Sequence, residues 1–344
     1  GQVPVLDAIE YPDLAIYHPD APNPFETIDD YRAWRKSQGL PIANGVAGAW
    51  NGTAGLLTQR AIILSGNTTH LDHLIRDLEA QGIEARTTYS ALLDFRPAIE
   101  TFLSGADDLP KADVMLNTMG FPLVGGPAGT RPEQAVEALH NMDVGYLDMI
   151  PLGFQRVEDW QSDSVGLNPM QVAMNIALPE LDGIAEPVIF GGPTHTNESF
   201  IALEPEQSQA AKRVSRRIRL KRKANADKKL AVVLFNFPPN LGNAGTAAFL
   251  DVFASLHRLL QQLKDEGYKV NIPADADTLR QMVAEGNHMQ FGTDGNVGAT
   301  ITLEQYRELF PWYPEIEEYW GRAPGELLTN GRDFYILGTQ FGNV

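Results

Sequence analysis

From Ala61 to Phe190 short apolar runs alternate with amphipathic helical stretches, and this alternation limits the chain more than any other feature. The run Ala61–Leu64 is followed by the polar turn SGNTTH, a helix over His70–Gln81, the breaker Gly82 and a second apolar run, Ile83–Thr87. Strand, turn, helix, glycine and strand make a βαβ unit, whose two strands can only be parallel. The pattern then repeats. Helices are expected over Ala98–Leu103, Pro132–Asn141 and Asn168–Leu178, and strands over Val114–Asn117, Gly145–Asp148 and Val188–Phe190. Five short strands with helices between them predict an α/β, doubly wound parallel sheet. Its ligand side is the carboxyl end of the strands, at Ser65–His70, Asn117–Gly129, Met149–Gln155 and Gly191–His195.

The domain it predicts, over residues 58–194, resembles flavodoxin. Residues 1–57 are rich in proline and glycine, and only Thr27–Lys36 reads as a helix, capped by Thr27 with Asp29 and Asp30 in its first turn. This segment is expected to pack on other domains. Residues 195–229 read as a basic helical connector. Residues 230–344 read as a second, apparently truncated α/β domain: strand Leu230–Asn236, helix Ala247–Glu266, strand Tyr268–Ile272, helices Asp275–Glu285 and Leu303–Phe310, and a last strand Phe334–Leu337.

Composition narrows function by exclusion. The chain has 344 residues and no cysteine, which removes disulfides, thiolate metal sites and cysteine nucleophiles. No apolar run approaches the roughly 18 residues of a membrane span, and the first residues, GQVPVLDAIEYPD, do not read as a signal peptide, so a cytoplasmic location is the expectation. Net charge is −17, yet Lys212–Lys229 carries ten bases and one acid. The remainder is strongly acidic and repels nucleic acid. The basic run contains no aromatic residue for base stacking, and Val214 and Ile218 lie on one side. A helix whose basic face meets an acidic neighbour is the favoured reading.

Candidate chemistry is sparse. No phosphate loop of the Gly-x-x-x-x-Gly-Lys-Ser/Thr type occurs, although the glycine-containing loop with Asn236, Asn240 and Asn243 precedes a helix and offers backbone N–H groups to an anion. His70 and His73 stand three apart at a helix start, a spacing that either converges on a metal or leaves two surface histidines. His195, in GGPTHTNES, is either a donor to a bound carboxylate or a turn residue. The most unusual stretch is Val165–Gly192, VGLNPMQVAMNIALPELDGIAEPVIFGG. Val172, Ala173, Ile176 and Ala177 recur at helical spacing, Pro179 stops the helix, and Glu180, Asp182 and Glu186 follow before the strand. Three carboxylates there read as an oxygen-rich cleft edge or as a solvated turn. The loop FPLVGGPAG places Gly125, Gly126 and Gly129 beside Phe121 and Leu123, which either admits a flat macrocycle or closes a tight turn.

The Val165–Gly192 stretch resembles the MNxALPELDGxxEPxxFGG segment of the large porphyrin-binding subunit of magnesium chelatase and of its relative, the cobaltochelatase large subunit. Four further segments are similar to the same subunit in the same order: Ile16–Trp34, Phe121–Leu139, Val232–Val270 and Gly286–Val297. The resemblance implies a part of the subunit that holds protoporphyrin IX while Mg²⁺ is inserted in (bacterio)chlorophyll synthesis. It implies two smaller partner subunits, an AAA+ ATPase that spends the ATP and its metal-site-bearing companion, and a plastid stromal setting if the source is a plant or alga. The cobalt enzyme, which uses a corrin-type ring, and a docking module without ligand are the alternatives. The family's HFGTHGxLEFMPGK motif is not found in these residues, so the chain alone is expected to be inactive. No catalytic residue is carried over, and Glu180, Asp182, Glu186, His70, His73, His195 and the three asparagines stand as candidate cleft or coupling residues.

Overall fold

The computed structural model describes residues 10–40, 42, 52–105, 110–235, 245, 247 and 249–344. The chain divides into two compact units, Gly1–Arg222 and Lys223–Val344.

In chain order the first unit holds β1 (Leu14–Tyr17), α1 (Ile28–Ser37), β2 (Gly52–Gln59), α2 (Arg60–Leu64), α3 (Thr69–Ala80), β3 (Ile83–Ser90), α4 (Arg96–Phe102), β4 (Val114–Asn117), α5 (Pro132–Met142) and β5 (Gly145–Pro151). The short helices α6 (Val157–Ser162) and α7 (Pro169–Val172) follow, then a π-helical turn Ala173–Ala177, α8 (Leu178–Glu180), β6 (Ala185–Gly192), β7 (Ile201–Ala202) and α9 (Glu204–Arg222). The strands form one seven-stranded sheet in the order β1-β3-β2-β4-β5-β6-β7. The five from β3 to β6 run parallel, with pairs such as Ala54 opposite Val114 and Val114 opposite Gly145, and the two edge strands run antiparallel. The mixed α/β class is therefore as expected.

Each face of the sheet carries its own core. Leu57, Met115 and Tyr146 pack with Phe95, Ile99 and Phe102 of the α4 region on one side. Leu56, Leu116 and Leu147 meet Leu71, Leu74 and Leu78 of α3 and Val214 and Ile218 of α9 on the other. Burial on both faces is what strands of a parallel sheet require, and it places the polar chemistry at the strand ends.

Several expectations need correction. The strand expected at Ala61–Leu64 is helix α2, and the strand is the preceding GTAGLLTQ. Its small residues disguise it: a Cβ on Gly55 would stand 2.7 Å from Leu103, so the bare backbone lets α4's last turn close on the sheet. The border expected between residues 57 and 58 thus falls inside β2, and Leu14–Tyr17 joins the same sheet. The helix expected over Asn168–Leu178 is interrupted by the π-helical turn. Pro179 has no N–H to give and its ring crowds the carbonyl four residues back, whereas the Leu178 N–H reaches five residues back to Ala173. Of the apolar face expected there, Val172, Ala173 and Ala177 are exposed and Ile176 is half-buried, whereas Gln171 and Asn175 are buried.

α9 lies on the chain's own acidic groups. Arg222 pairs with Asp113 at 2.8 Å, Arg217 with Glu186, and Lys221 donates to the Asp143 carbonyl at 3.1 Å.

The second unit holds α10 (Val252–Asp265), α11 (Ala276–Ala284), α12 (His288–Phe291), β8 (Val297–Thr302), α13 (Leu303–Leu309), α14 (Tyr313–Trp320) and β9 (Asp333–Leu337), with β8 and β9 antiparallel. Its small core joins Leu256, Leu260, Val270, Leu279 and Phe341. The expected strands Leu230–Asn236 and Tyr268–Ile272 do not form among the described residues. Among the described residues Leu230 donates to the Asn343 carbonyl and Val270 makes an isolated bridge to Gly342, short of the continuous pairing a ladder needs.

Candidate functional site at the strand ends

Strand order fixes where a ligand site belongs. The chain leaves β2 toward β3 on one side and enters β4 on the other, so a crevice opens beyond the carboxyl ends of these two neighbours. A cavity of about 320 Å³ occupies that place. Gln59 stands at the end of β2, Thr118–Phe121 at the end of β4, Pro151 at the end of β5, and Ile62, His70, Phe154, Met174, Asn175 and Phe200 complete a mainly apolar wall. A second, more open chamber of about 480 Å³ shares Gly153, Phe154 and Phe200 with it and adds Gln155, Arg156, Asp159, Pro193 and Glu198.

The wall is held rigid by side-chain amides. Gln59 donates to the Met119 carbonyl at 2.8 Å. Asn117 accepts the Met119 N–H at 2.9 Å and donates to the Phe121 carbonyl at 3.0 Å. Gln171 donates to the Pro151 carbonyl at 2.8 Å and accepts the Phe154 N–H at 3.0 Å. Gln171 also donates to Asn175, and Asn175 in turn to the Gly120 carbonyl. This explains why a helix buries its amides and exposes its alanines: the amides satisfy loop groups that water would otherwise have to reach. It also fixes Gly120, whose φ is +75° and where a Cβ would lie 2.5 Å from the Asn175 side-chain nitrogen.

Behind the loop lies a buried acidic group. Asp182, expected as a cleft carboxylate, is 2% exposed and accepts the Leu123 N–H at 2.6 Å. Burial raises its pKa to about 6 against the opposing pull of that N–H. Asp148 of β5 is buried with neither carboxyl oxygen partnered among the described residues, and burial, aided by the charge of Glu180, raises its pKa to about 8. Tyr146, two residues earlier on the same face, has a buried hydroxyl with no partner among the described residues, and burial with Asp182 and Asp148 holds it far above the usual phenol value. Burying carboxyl groups without partners favours their neutral form.

The candidate residues are therefore dispersed. His70 lines the cavity, its ring between Phe190 and Phe200 at 4.9 Å from each, and burial lowers its pKa to about 4. His73 does not join it on a metal but bonds Gln207 at 2.9 Å, and no group of three or more metal-ligating side chains converges among the described residues. His195 is exposed at the edge of the outer chamber, 2.9 Å from Asp159. Glu180 is exposed, and Glu186 points to Arg217 of α9. Asn236, Asn240 and Asn243 lie outside the described residues. Sequence reasoning missed Gln59, Gln171 and Asn175, because only the strand order shows that these separated segments meet.

The sequence matches the CobN/Magnesium Chelatase family over residues 1–344. The chain belongs to this family. Among its relatives, a magnesium-chelatase subunit of Rhodobacter capsulatus is 38% identical over 98% of this chain and 28% of that protein. The chloroplastic magnesium-chelatase subunit ChlH of Oryza sativa subsp. indica is 36% identical over 98% of this chain and 24% of its own length. The aerobic cobaltochelatase subunit CobN of a Sinorhizobium species is 28% identical over 85% of this chain. The chain thus spans about a quarter of the length of these CobN/magnesium chelatase relatives. The solved catalytic subunit of cobaltochelatase from Mycobacterium tuberculosis shares the fold, with a TM-score of 0.71 at 22% identity over all of this chain and 28% of that one.

Proposed function

We propose that this chain is the part of a chelatase large subunit that receives the tetrapyrrole, and that the crevice between β2 and β4 takes one edge of it. Magnesium and protoporphyrin IX are the favoured pair, because the relatives named for magnesium chelatase are 36–38% identical whereas the one named for cobaltochelatase is 28% identical. ATP is used in this reading by the AAA+ partner, which with its metal-site-bearing companion delivers conformational work to the large subunit, and the location is cytoplasmic or plastid stromal. Among the described residues no helix is long and apolar enough to cross a membrane. The parallel strand order, which reads 2-1-3-4-5 when β2 is counted first, supports the flavodoxin-like reading of the first unit. The second unit is proposed to be part of a further α/β domain.

One observation carries the proposal: the largely apolar cavity sits at the strand-order reversal and has amide-fixed walls. An apolar, preformed cleft with few polar groups suits a flat hydrophobic ring, because it need not reorganise to exclude water from the ring face. Glu180, Asp182 and Glu186 are proposed to act in shaping the cleft or in coupling to partners rather than as a cluster of metal ligands. Titration of protoporphyrin IX into the protein, followed by quenching of tryptophan fluorescence, tests the reading. Saturable quenching that Met119→Trp or Gly120→Val weakens at least tenfold is expected. Stronger quenching by hydrogenobyrinic acid diamide would favour the cobalt enzyme, and absence of quenching by either ring would reject the assignment.

A further inference from the structure

We propose that Arg156 reads an acid group of the ligand, and that Glu198 holds its place until the ligand arrives. The inference rests on the tetrapyrrole reading of the cleft. Arg156 follows β5, on the ligand side of the sheet, and lines the outer chamber. Its two terminal nitrogens bond Glu198 at 2.7 and 3.0 Å, the fork-to-fork geometry that any carboxylate can adopt. The guanidinium has a second anchor, the Thr194 carbonyl at 3.3 Å, which keeps it aimed at the chamber when the acid partner leaves.

The two partners differ in freedom. The Arg156 side chain is 32% exposed and that of Glu198 is 87% exposed. An ion pair this open contributes little, so displacing the exposed Glu198 costs less than is gained by a ligand carboxylate that the buried apolar body holds against Arg156. That body has a place to go, because Gly153, Phe154 and Phe200 belong to both chambers. The neighbouring charges are otherwise engaged: Asp159 bonds the His195 ring at 2.9 Å, and Glu158 accepts the His195 backbone N–H at 3.2 Å. With these acids nearby, an additional carboxylate beside Glu198 is repelled, and one that replaces it is not. The ligand class is thus an apolar body with a carboxylate at its edge, and the outer chamber distinguishes an acid from its ester.

The test compares protoporphyrin IX with its dimethyl ester on the wild type, Arg156→Gln and Glu198→Gln. The acid is expected to bind the wild type about 2- to 5-fold more tightly than the ester, the range of a partly exposed charged pair. Arg156→Gln should bring the acid to the level of the ester and leave the ester unchanged. Glu198→Gln, at an exposed surface position, should tighten the acid alone. Equal binding of acid and ester to the wild type, or no gain for the acid in Glu198→Gln, overturns the role of Arg156 while the tetrapyrrole reading stands. Binding of neither probe overturns that reading and the inference with it.

Discussion

Asp182 and Leu123 are 59 residues apart in sequence, yet the carboxylate of one accepts the backbone N–H of the other at 2.6 Å. This bond ties the loop after β4 to the turn before β6 and so sets one wall of the crevice. Asp182→Ala leaves a buried N–H unsatisfied and should cost about 1–3 kcal/mol in denaturant unfolding. Asp182→Asn keeps an acceptor and should cost less than half as much.

Asp148 gives stability a pH dependence of definite sign. Its folded pKa is about 8, whereas an unfolded aspartate titrates near ~3.9, so between these values the folded chain holds a proton the unfolded chain has released. Stability from this group is full below the unfolded value and is lost as pH rises through about 8, by on the order of 1 kcal/mol per pH unit. Asp182 adds the same sign up to about 6. Asp148→Asn should flatten the profile, matching or trailing the wild type at pH 5 and melting higher than it at pH 8. Parallel melting curves across that range would show that Asp148 ionises freely in the fold.

Amphipathic period served well where a helix has one apolar face: α3, α11 and α13 lie within a residue or two of where the sequence puts them. It failed at Asn168–Leu178 because hydrophobic spacing assumes that buried means apolar, and there the buried face is Gln171 and Asn175. It failed at β2 because the strand GTAGLLTQ sets only Leu56 and Leu57 among small and polar residues, too few bulky apolar side chains to show a period. The parallel pairing was legible, since it follows from alternation, whereas the order of the strands was not. The site's partners were not, since Asn175 and Gly120 lie 55 residues apart and no local pattern couples them.

Gly120→Ala combines a left-handed backbone with a contact on the Asn175 amide, and is expected to lose about 1–3 kcal/mol. Removing that amide in Gly120→Ala/Asn175→Ala should relieve the contact but not the backbone strain. The double variant is therefore expected to be more stable than the sum of the two single changes, measured as a double-mutant cycle.

The Glu186–Arg217 pair is a different kind of contact. Both side chains are more than a third exposed, so Glu186→Gln should change stability by less than about 1 kcal/mol, and the difference should vanish in ~1 M salt. A larger, salt-independent loss would mean that Glu186 has a packing role at the junction of β6 and α9.

Hydrogen–deuterium exchange of the protein with and without protoporphyrin IX tests the central claim most directly, because it locates the ligand without altering a residue. Slowed exchange is predicted at residues 118–124, 153–156 and 171–175, the three segments that meet beyond β2 and β4. Protection confined to residues 223–344, or porphyrin binding that leaves those three segments unchanged, would contradict the account.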